Sequence, residues 1–562
     1  MKTSSRTSPE SAPTIWFNVT SSSNWTRPPV GVIRVEQNIF KALTELYGPE
    51  RCVPCVWADD GFVRWEPDVK KGGRGSKSDA ATGRMVRNVM PSTPSFDLSY
   101  KYVYKLVKAL RAGGKKPAEQ VLEDITRTFK MSPSEGDILV TMGLDWDHGY
   151  KERLYDIRRR RNVKVVTCCY DLIPVLYPQY CVGEVSRYFK EYFYNLAWAS
   201  DGVLCISKQT ERDFRGMITE SGMPDVRTAV IELGDNIPAQ KEDDEIGDAI
   251  ALLADSEYIL FVSTIERRKN HEVLYRAYHL LIKAGHKNLP KLVFVGMRGW
   301  GVDELFSDLR LDPILGEHIV VLDHLTDAEL LLLFKKTLFC VYPSLYEGWG
   351  LPVGEALSLG KFVLSSDRAS LPEVGGDLVT YVDPWNPQAW ADEILRLVDD
   401  RALLRRKEAR VRKAYRPRDW TNTGTQVKAL IDDLFAQKRN KWVLQPGYDC
   451  SSFVGLQDRG DLRTTGHEGF LMYGPHFSLG AGRYAISVHA TIRKATAGAI
   501  KLDVAADGAE TILQKFAFAG TVGKQVAAVE VDVPAGHADL EVRCMVTAAA
   551  DLSLHMVTIT RM

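Results

Sequence analysis

Tyr342-Pro-Ser-Leu-Tyr-Glu347-Gly-Trp-Gly-Leu-Pro352-Val-Gly-Glu355-Ala-Leu357 is the stretch that decides the fold. An apolar run ends at Tyr342 and a glycine-rich turn follows. Pro352 then falls in the first turn of a helix, where its missing N–H is no loss. A strand that feeds a helix through such a turn is half of a βαβ unit. The turn lets bare backbone N–H groups approach an oxygen-rich ligand, and the helix N-terminus favours an anion there. Glu347 lies in the turn and Glu355 in the helix, and nothing places them across a scissile bond at the separation that glycoside hydrolysis needs. Taken alone, the pair reads as a capping and a solvated glutamate.

The same alternation extends outward in both directions. Strands are predicted at Tyr258 to Ser263, Lys291 to Val295, Ile319 to Leu322, Leu338 to Tyr342, Lys361 to Ser365 and Leu378 to Val382, with helices between. One helix carries a capping box, Thr326-Asp-Ala-Glu329. Upstream, strands are predicted at Ile15 to Val19, Asp137 to Thr141, Val163 to Cys168 and Gly202 to Ser207, with a helical pattern from Val32 to Leu46. Alternating strands and helices build a parallel sheet covered on both faces. The chain is therefore an α/β protein with two doubly wound, Rossmann-like domains. Ligands of such sheets sit beyond the carboxyl ends of the strands, and the cleft between the domains is the natural site. From Gly482 the period changes to two, which predicts an antiparallel β-sandwich.

The expected layout is a tail over 1–13, a first domain over 14–239 with an insertion at about 59–135, and a linker over 240–257. A second domain follows over 258–415, then a crossover helix over 416–440 and the sandwich over 441–562. The insertion carries a Gly/Lys/Arg-rich loop, Lys70 to Arg84, and two expected helices. The 562 residues balance 72 Lys and Arg against 72 Asp and Glu, which excludes a protein built to grip nucleic acid along a broad basic face. Nine scattered cysteines fit a reducing compartment, and Cys52 and Cys55 read as small apolar strand residues rather than a metal pair. Residues 1–13 lack the apolar core of a signal peptide and no apolar run is long enough to span a bilayer, so the expectation is a cytoplasmic protein. The sequons at Asn18 and Asn24 are then chance matches.

The stretch Tyr342 to Leu357 resembles the Glu-x7-Glu motif of the retaining glycosyltransferases of family 4, and Pro343 to Pro352 within it is a close match, with Trp349 where Phe is commoner. The resemblance extends to Ser263-Thr264-Ile-Glu-Arg-Arg268-Lys269-Asn270, to Val295-Gly296-Met-Arg-Gly-Trp300, and to Ser370-Leu-Pro-Glu-Val374 followed by Val382-Asp-Pro384. It implies a GT-B architecture, in which the second domain holds a nucleotide diphosphate sugar and the first holds the acceptor. No metal and no further cofactor are implied. Arg268 and Lys269 then stabilise the leaving diphosphate, and Glu347 with the backbone from Gly348 through Trp349 and Gly350 to Leu351 and Pro352 contacts the sugar and its phosphate. Glu355 binds the ribose, and Thr264, Asn270 and Gly296 line the donor site. Retention in this family resembles a front-face displacement in which the donor phosphate accepts the acceptor's proton.

On the acceptor side, Val19 to Trp25 and Pro28 to Glu36 resemble the first glycine-containing loop of some family members, which makes Gly31 and Arg34 candidate contacts. Asp171-Leu-Ile-Pro174 resembles a His-Asp-x-Ile-Pro segment, with Tyr170 in the place of His. Asp171 is a candidate acceptor contact, with a turn cap as the plainer reading. Asp145-Trp-Asp147 could chelate a metal in a different glycosyltransferase architecture. Here Asp145 and Asp147 are read as acceptor-cleft residues or a polar turn. The variants look most like mannosyl- or rhamnosyltransferases of surface polysaccharide assembly acting on a glycan or lipid-linked glycan. Rival readings are a GT-B phosphorylase, a nucleotide-sugar epimerase, and an inactive GT-B scaffold. Basic runs at Arg158 to Arg161 and Arg405 to Arg418 read as solvated helix faces, or more sharply as peripheral membrane contacts. The aromatics of Phe470 to Phe477 read as core or as a sugar platform.

Overall fold

The computed structural model describes residues 13–23, 25, 31–58, 61–65, 136–148, 150–160, 163–236, 246–437, 440–477, 481–519, 522–534 and 540–562. The first sheet contains β1 (Ile15–Asn18), β2 (Cys52–Ala58), β3 (Gly61–Arg64), β4 (Ile138–Thr141), β5 (Lys164–Cys169), β6 (Gly202–Cys205) and β7 (Arg227–Val230). Its order is β3-β2-β1-β4-β5-β6-β7, parallel throughout except that β3 runs antiparallel to β2. The second contains β8 (Tyr258–Val262), β9 (Lys291–Val295), β10 (Ile319–Leu322), β11 (Cys340–Tyr342), β12 (Val363–Ser365) and β13 (Thr380–Tyr381). Its order, β10-β9-β8-β11-β12-β13, is all parallel. Every residue of β4 and the first four of β8 are buried, as a sheet covered on both faces requires. In both sheets the strand order reverses beside the first strand, which opens a crevice at the carboxyl ends of β1 and β4 and again of β8 and β11.

Both α/β domains belong to one compact unit. The helix Trp420–Ala436 leaves the second domain and packs on the helix Gly31–Tyr47 of the first, with Leu430 and Leu434 against Gly202 of β6. Two doubly wound domains tied by a crossover helix are the layout that the GT-B resemblance implies.

Two expectations of the layout need correction. The stretch expected as linker contains a helix, Asp248–Ala254, whose Ile250 and Ala254 join the core. The expected insertion opens with an edge strand, β3; the Lys70 to Arg84 loop and the two expected helices lie outside the described residues, as do 1–12 of the tail and Asn24. Asn18 is fully buried and its amide donates to Thr141 Oγ1 at 3.0 Å and Tyr150 Oη at 2.8 Å, so it presents no glycan acceptor. Cys52 and Cys55 are buried in β2 as free thiols. Among the described residues no helix is long and apolar enough to cross a membrane.

Residues from Gln437 onward form a second compact unit with its own core. Its strands are β14 (Lys441–Leu444), β15 (Gly455–Asp458), β16 (Asp461–Thr464), β17 (Gly469–Met472), β18 (Pro475–Phe477), β19 (Gly482–Lys494), β20 (Ile500–Ala506), β21 (Thr511–Phe516), β22 (Gly523–Val533), β23 (Leu540–Val546) and β24 (Asp551–Arg561). One antiparallel sheet runs β15-β16-β24-β19-β22 with β14 on β24, and the other β17-β23-β20-β21 with β18 on β23. Along β19 the buried residues are Tyr484, Ile486, Val488, Ala490 and Ile492, the alternation of a half-buried strand.

Candidate active site

The turn after β8 winds into a short 3-10 helix, Arg267–Lys269, and Asn270 then takes a left-handed φ of 61° to start the helix His271–Lys283. Asn tolerates that conformation, and its amide here donates to the carbonyls of Pro343 at 3.2 Å and Pro384 at 2.7 Å. The neighbouring turns are stapled on: Ile265 N–H donates to Met297 O at 2.9 Å and Leu345 N–H to Arg268 O at 2.7 Å. A Cβ at Gly296 would stand 1.9 Å from Ser263 O, so only glycine lets the β9 turn approach this closely. Thr264 beside it is exposed.

The turn after β11 carries Glu347 into the same crevice. Its Oε1 lies 2.6 Å from Lys269 Nζ and its Oε2 2.9 Å from Arg268 Nη1. Arg268 Nε reaches the buried Glu266 at 2.8 Å, a partner the motif reading missed. Burial acts to raise the Glu347 pKa, but Lys269 and Arg268 overcome it and hold the group at about 2. Burial and the adjacent Arg268 lower the Lys269 pKa against the pull of Glu347. Ser370 Oγ donates to the carbonyls of Glu347 and Trp349 at 2.9 Å each, which fixes the loop. Gly350 at φ +107° then opens the helix Leu351–Ser358, with Pro352 in its first turn. Two cations and a helix N-terminus thus converge at the reversal point of the second sheet, an arrangement suited to a diphosphate.

Residues 243–416 match the family model described as Glycosyl transferases group 1. The second α/β domain is a glycosyl transferases group 1 domain. The expectation of a glycosyltransferase, drawn from four short motifs, is borne out. The chain is similar to O-antigen chain mannosyltransferase B of Escherichia coli, 29% identical over 267 residues, which cover 48% of this chain and 70% of that protein. It is also similar to serotype-specific mannosyltransferase WbdA of Escherichia coli, 27% identical over 290 residues, or 50% of this chain and 35% of that one. Among solved structures, sucrose-phosphate synthase from Thermosynechococcus elongatus aligns with a TM-score of 0.48 at 19% identity, over 76% of this chain and 100% of that one.

The group 1 domain closes directly onto the first domain. A Cβ at Gly348 would stand 2.2 Å from Tyr170 O and 3.1 Å from Asp171 Cβ, so the absent side chain is what admits the end of β5. Thr210 Oγ1 lies within 3.3 Å of Tyr170 O and 3.4 Å of Gly348 O. Glu373 of the group 1 domain accepts the N–H groups of Lys208 at 2.8 Å and Gln209 at 2.9 Å, capping the first domain's helix Lys208–Glu220. Arg34 pairs with Glu355, the residue expected on the ribose, and donates to Asn236 O at 3.0 Å with its guanidinium over the Trp420 ring. Burial raises the Glu355 pKa and Arg34 opposes it. Gly31 is exposed at the start of its helix.

Other candidates play different parts. Trp349 is buried with Arg418 5.3 Å above its ring, so its indole packs the turn and only its backbone is left for the contact expected of it. Asp145 is buried and accepts from Thr141 Oγ1 at 2.6 Å and from Tyr150 Oη, which makes it an anchor of the 3-10 turn Asp145–Asp147, while Asp147 is exposed. Asp171 accepts Ile173 N–H at 3.1 Å, the turn cap, and also lies close enough to Arg268 to feel its charge. Tyr170, in the histidine's place, donates to Met142 O. Glu36, to which the sequence gave no part, is fully buried and accepts Ser22 N–H at 2.7 Å.

Proposed function

We propose that this chain is a retaining, metal-independent hexosyltransferase that moves a mannose- or rhamnose-type sugar from a nucleotide diphosphate to a glycan or lipid-linked glycan during surface polysaccharide assembly. The observation that carries the reading is the convergence of Arg268 and Lys269 on Glu347 at the strand-order reversal of a group 1 domain. The mannosyltransferase names of the relatives support the sugar class.

In the proposed step the bond between the sugar's anomeric carbon and the diphosphate oxygen breaks, and the acceptor oxygen bonds to that carbon on the same face. The acceptor's proton passes to the departing phosphate, so no carboxylate base is required. Charge that develops on the diphosphate falls to Arg268 by forked hydrogen bonds and to Lys269 as a point charge. Glu347 keeps both cations oriented before the donor arrives. The basic helix Arg401–Ala414 pairs Arg401 with Glu257 at 2.8 Å, Arg406 with Asp400 at 3.8 Å, Arg410 with Asp377 and Arg412 with Glu408 at 3.4 Å, and its remaining cations are those proposed to meet the inner membrane face.

A panel of nucleoside diphosphates screened by thermal shift tests the donor site, because a ligand of the native state raises Tm. One base is expected to stand out, and its mannose or rhamnose conjugate to give a product whose anomeric configuration matches the donor's, with activity that survives a chelator. No shift with any nucleotide, an inverted product, or activity restored only by a divalent metal would each defeat the corresponding part of the proposal.

A further inference from the structure

The two outer faces of the sandwich differ. On the sheet containing β19 and β24, outward polar groups satisfy one another: Thr491 with His555 at 2.8 Å, His555 with Asp461 at 2.7 Å, and Arg493 with Asp551 at 2.9 Å. The other sheet presents rings. Phe470 of β17 stands opposite Met545 of β23, and Asp503 of β20 opposite Arg543 of β23, next to the buried Val504 and Cys544, so Phe470, Asp503 and Arg543 share the outward face.

Arg543 lies 5.4 Å from the centre of the Phe470 ring and is held by both arms, Nε to Asp503 Oδ1 at 2.7 Å and Nη2 to Oδ2 at 3.0 Å. Tyr473 meets Phe470 edge to face at 6.3 Å, and Phe453 stacks on Tyr473 at 4.8 Å with 26° between the planes. Phe453 is 73% exposed, so the side of its ring away from Tyr473 faces water. A row of rings open at the Phe453 end, beside a fixed Arg–Asp fork whose side chains keep 12% and 21% of their surface exposed, offers an apolar surface next to paired donors and acceptors. A pyranose has the matching halves, a C–H face for the ring and hydroxyls for the fork. Charge points the same way: the fork is neutral, and the last 115 residues carry 10 Lys and Arg against 12 Asp and Glu, so neither a polyanion nor an anionic lipid is favoured.

We infer that Phe453, Tyr473 and Phe470, with the Arg543–Asp503 pair, form a glycan-binding site that holds the polysaccharide being extended. The identity of that glycan rests on the transferase reading; the existence of the site does not. Covalent linkage to the transferase unit raises the local concentration of a long acceptor and gives nothing to a single sugar.

The test is affinity electrophoresis of the full chain through gels that contain α-mannan or other bacterial polysaccharides, alongside sugar transfer to long and short acceptors. Phe453→Ala should weaken retention at least tenfold and slow transfer to long acceptors while transfer to a monosaccharide is unchanged. Val522→Ala, at a residue 71% exposed in the same unit, should alter neither. Unretarded wild-type protein in every gel, or equal retention of Phe453→Ala, would overturn the inference, as would a change of oligomeric state in Phe453→Ala, which would mark the rings as a contact between copies. Retention without transfer of any sugar would leave the site standing and overturn the transferase reading; transfer without retention would do the reverse.

Discussion

Glu347 is buried, yet Lys269 and Arg268 keep its pKa at about 2. A carboxylate whose folded pKa lies below its ordinary 4.5 stabilises the native state above that pH and loses the contribution as pH falls toward 2. The stability advantage of wild type over Glu347→Gln, followed by urea unfolding between pH 3 and 7, should therefore be flat above pH about 5 and shrink on the acid side, by roughly 2 kcal/mol at pH 3. Glu36 has the opposite sign. Burial raises its pKa to about 7, so ionising it costs stability that accumulates from pH 4.5 upward and is complete above pH 7. Glu36→Gln should unfold at higher urea than wild type above pH 7, by up to about 3 kcal/mol, and lose the advantage below pH 4.5; a difference independent of pH would refute the assignment. The cations could be read from the sequence because they follow a strand end in a family motif. Their pairing could not, since Lys269 and Glu347 are 78 residues apart and only the sheet order brings them together. Glu36 stood only at the end of the glycine-loop stretch, with no part of its own, because burial of one helix residue is decided by what packs on it.

Among the elements, the turn at Gly348 and the helix Lys208–Glu220 make opposite demands on glycine. At Gly348 a methyl group would meet the backbone carbonyl of Tyr170, which cannot step aside, so Gly348→Ala should cut sugar transfer by more than tenfold while circular dichroism keeps its α/β form. Gly216, exposed in the middle of that helix, has nothing within 4 Å of a Cβ, and Gly216→Ala should raise stability by about 0.5–1 kcal/mol in denaturant titrations. A strained or destabilised Gly216→Ala would contradict the local geometry. The buried strands were legible as short unbroken apolar runs, β4 and β8 above all. The sandwich strands before Gly482 were not, because β14 to β18 have three or four residues each, too few to show a period. The helix Asp248–Ala254 was hidden by the acidic stretch that leads into it. Glu373 lies in a motif that was recognised, but its capping of a helix in the other domain is a long-range fact.

At the scale of the whole molecule, the balance of 72 positive and 72 negative side chains conceals a local concentration of charge at one crevice. The two α/β domains meet there through Gly348 against Tyr170, Glu373 against Lys208 and Gln209, and Arg34 against Glu355. The Arg34 pairing means that anything taking hold of Glu355 also acts on the first domain, whose helix Gly31–Tyr47 carries Arg34 and supports the crossover helix. The architecture followed from alternation and spacing, whereas the contacts that close the cleft depend on surfaces distant in sequence. The central claim is that Arg268 and Lys269 take up the charge of the leaving diphosphate, and it is tested most directly by kcat/KM for sugar transfer in Arg268→Ala and Lys269→Ala, with folding checked by thermal melting. Each substitution should lower kcat/KM at least tenfold, a loss of about 1.4 kcal/mol or more in transition-state stabilisation, in a protein that still melts cooperatively; turnover equal to wild type in either folded variant would contradict the claim.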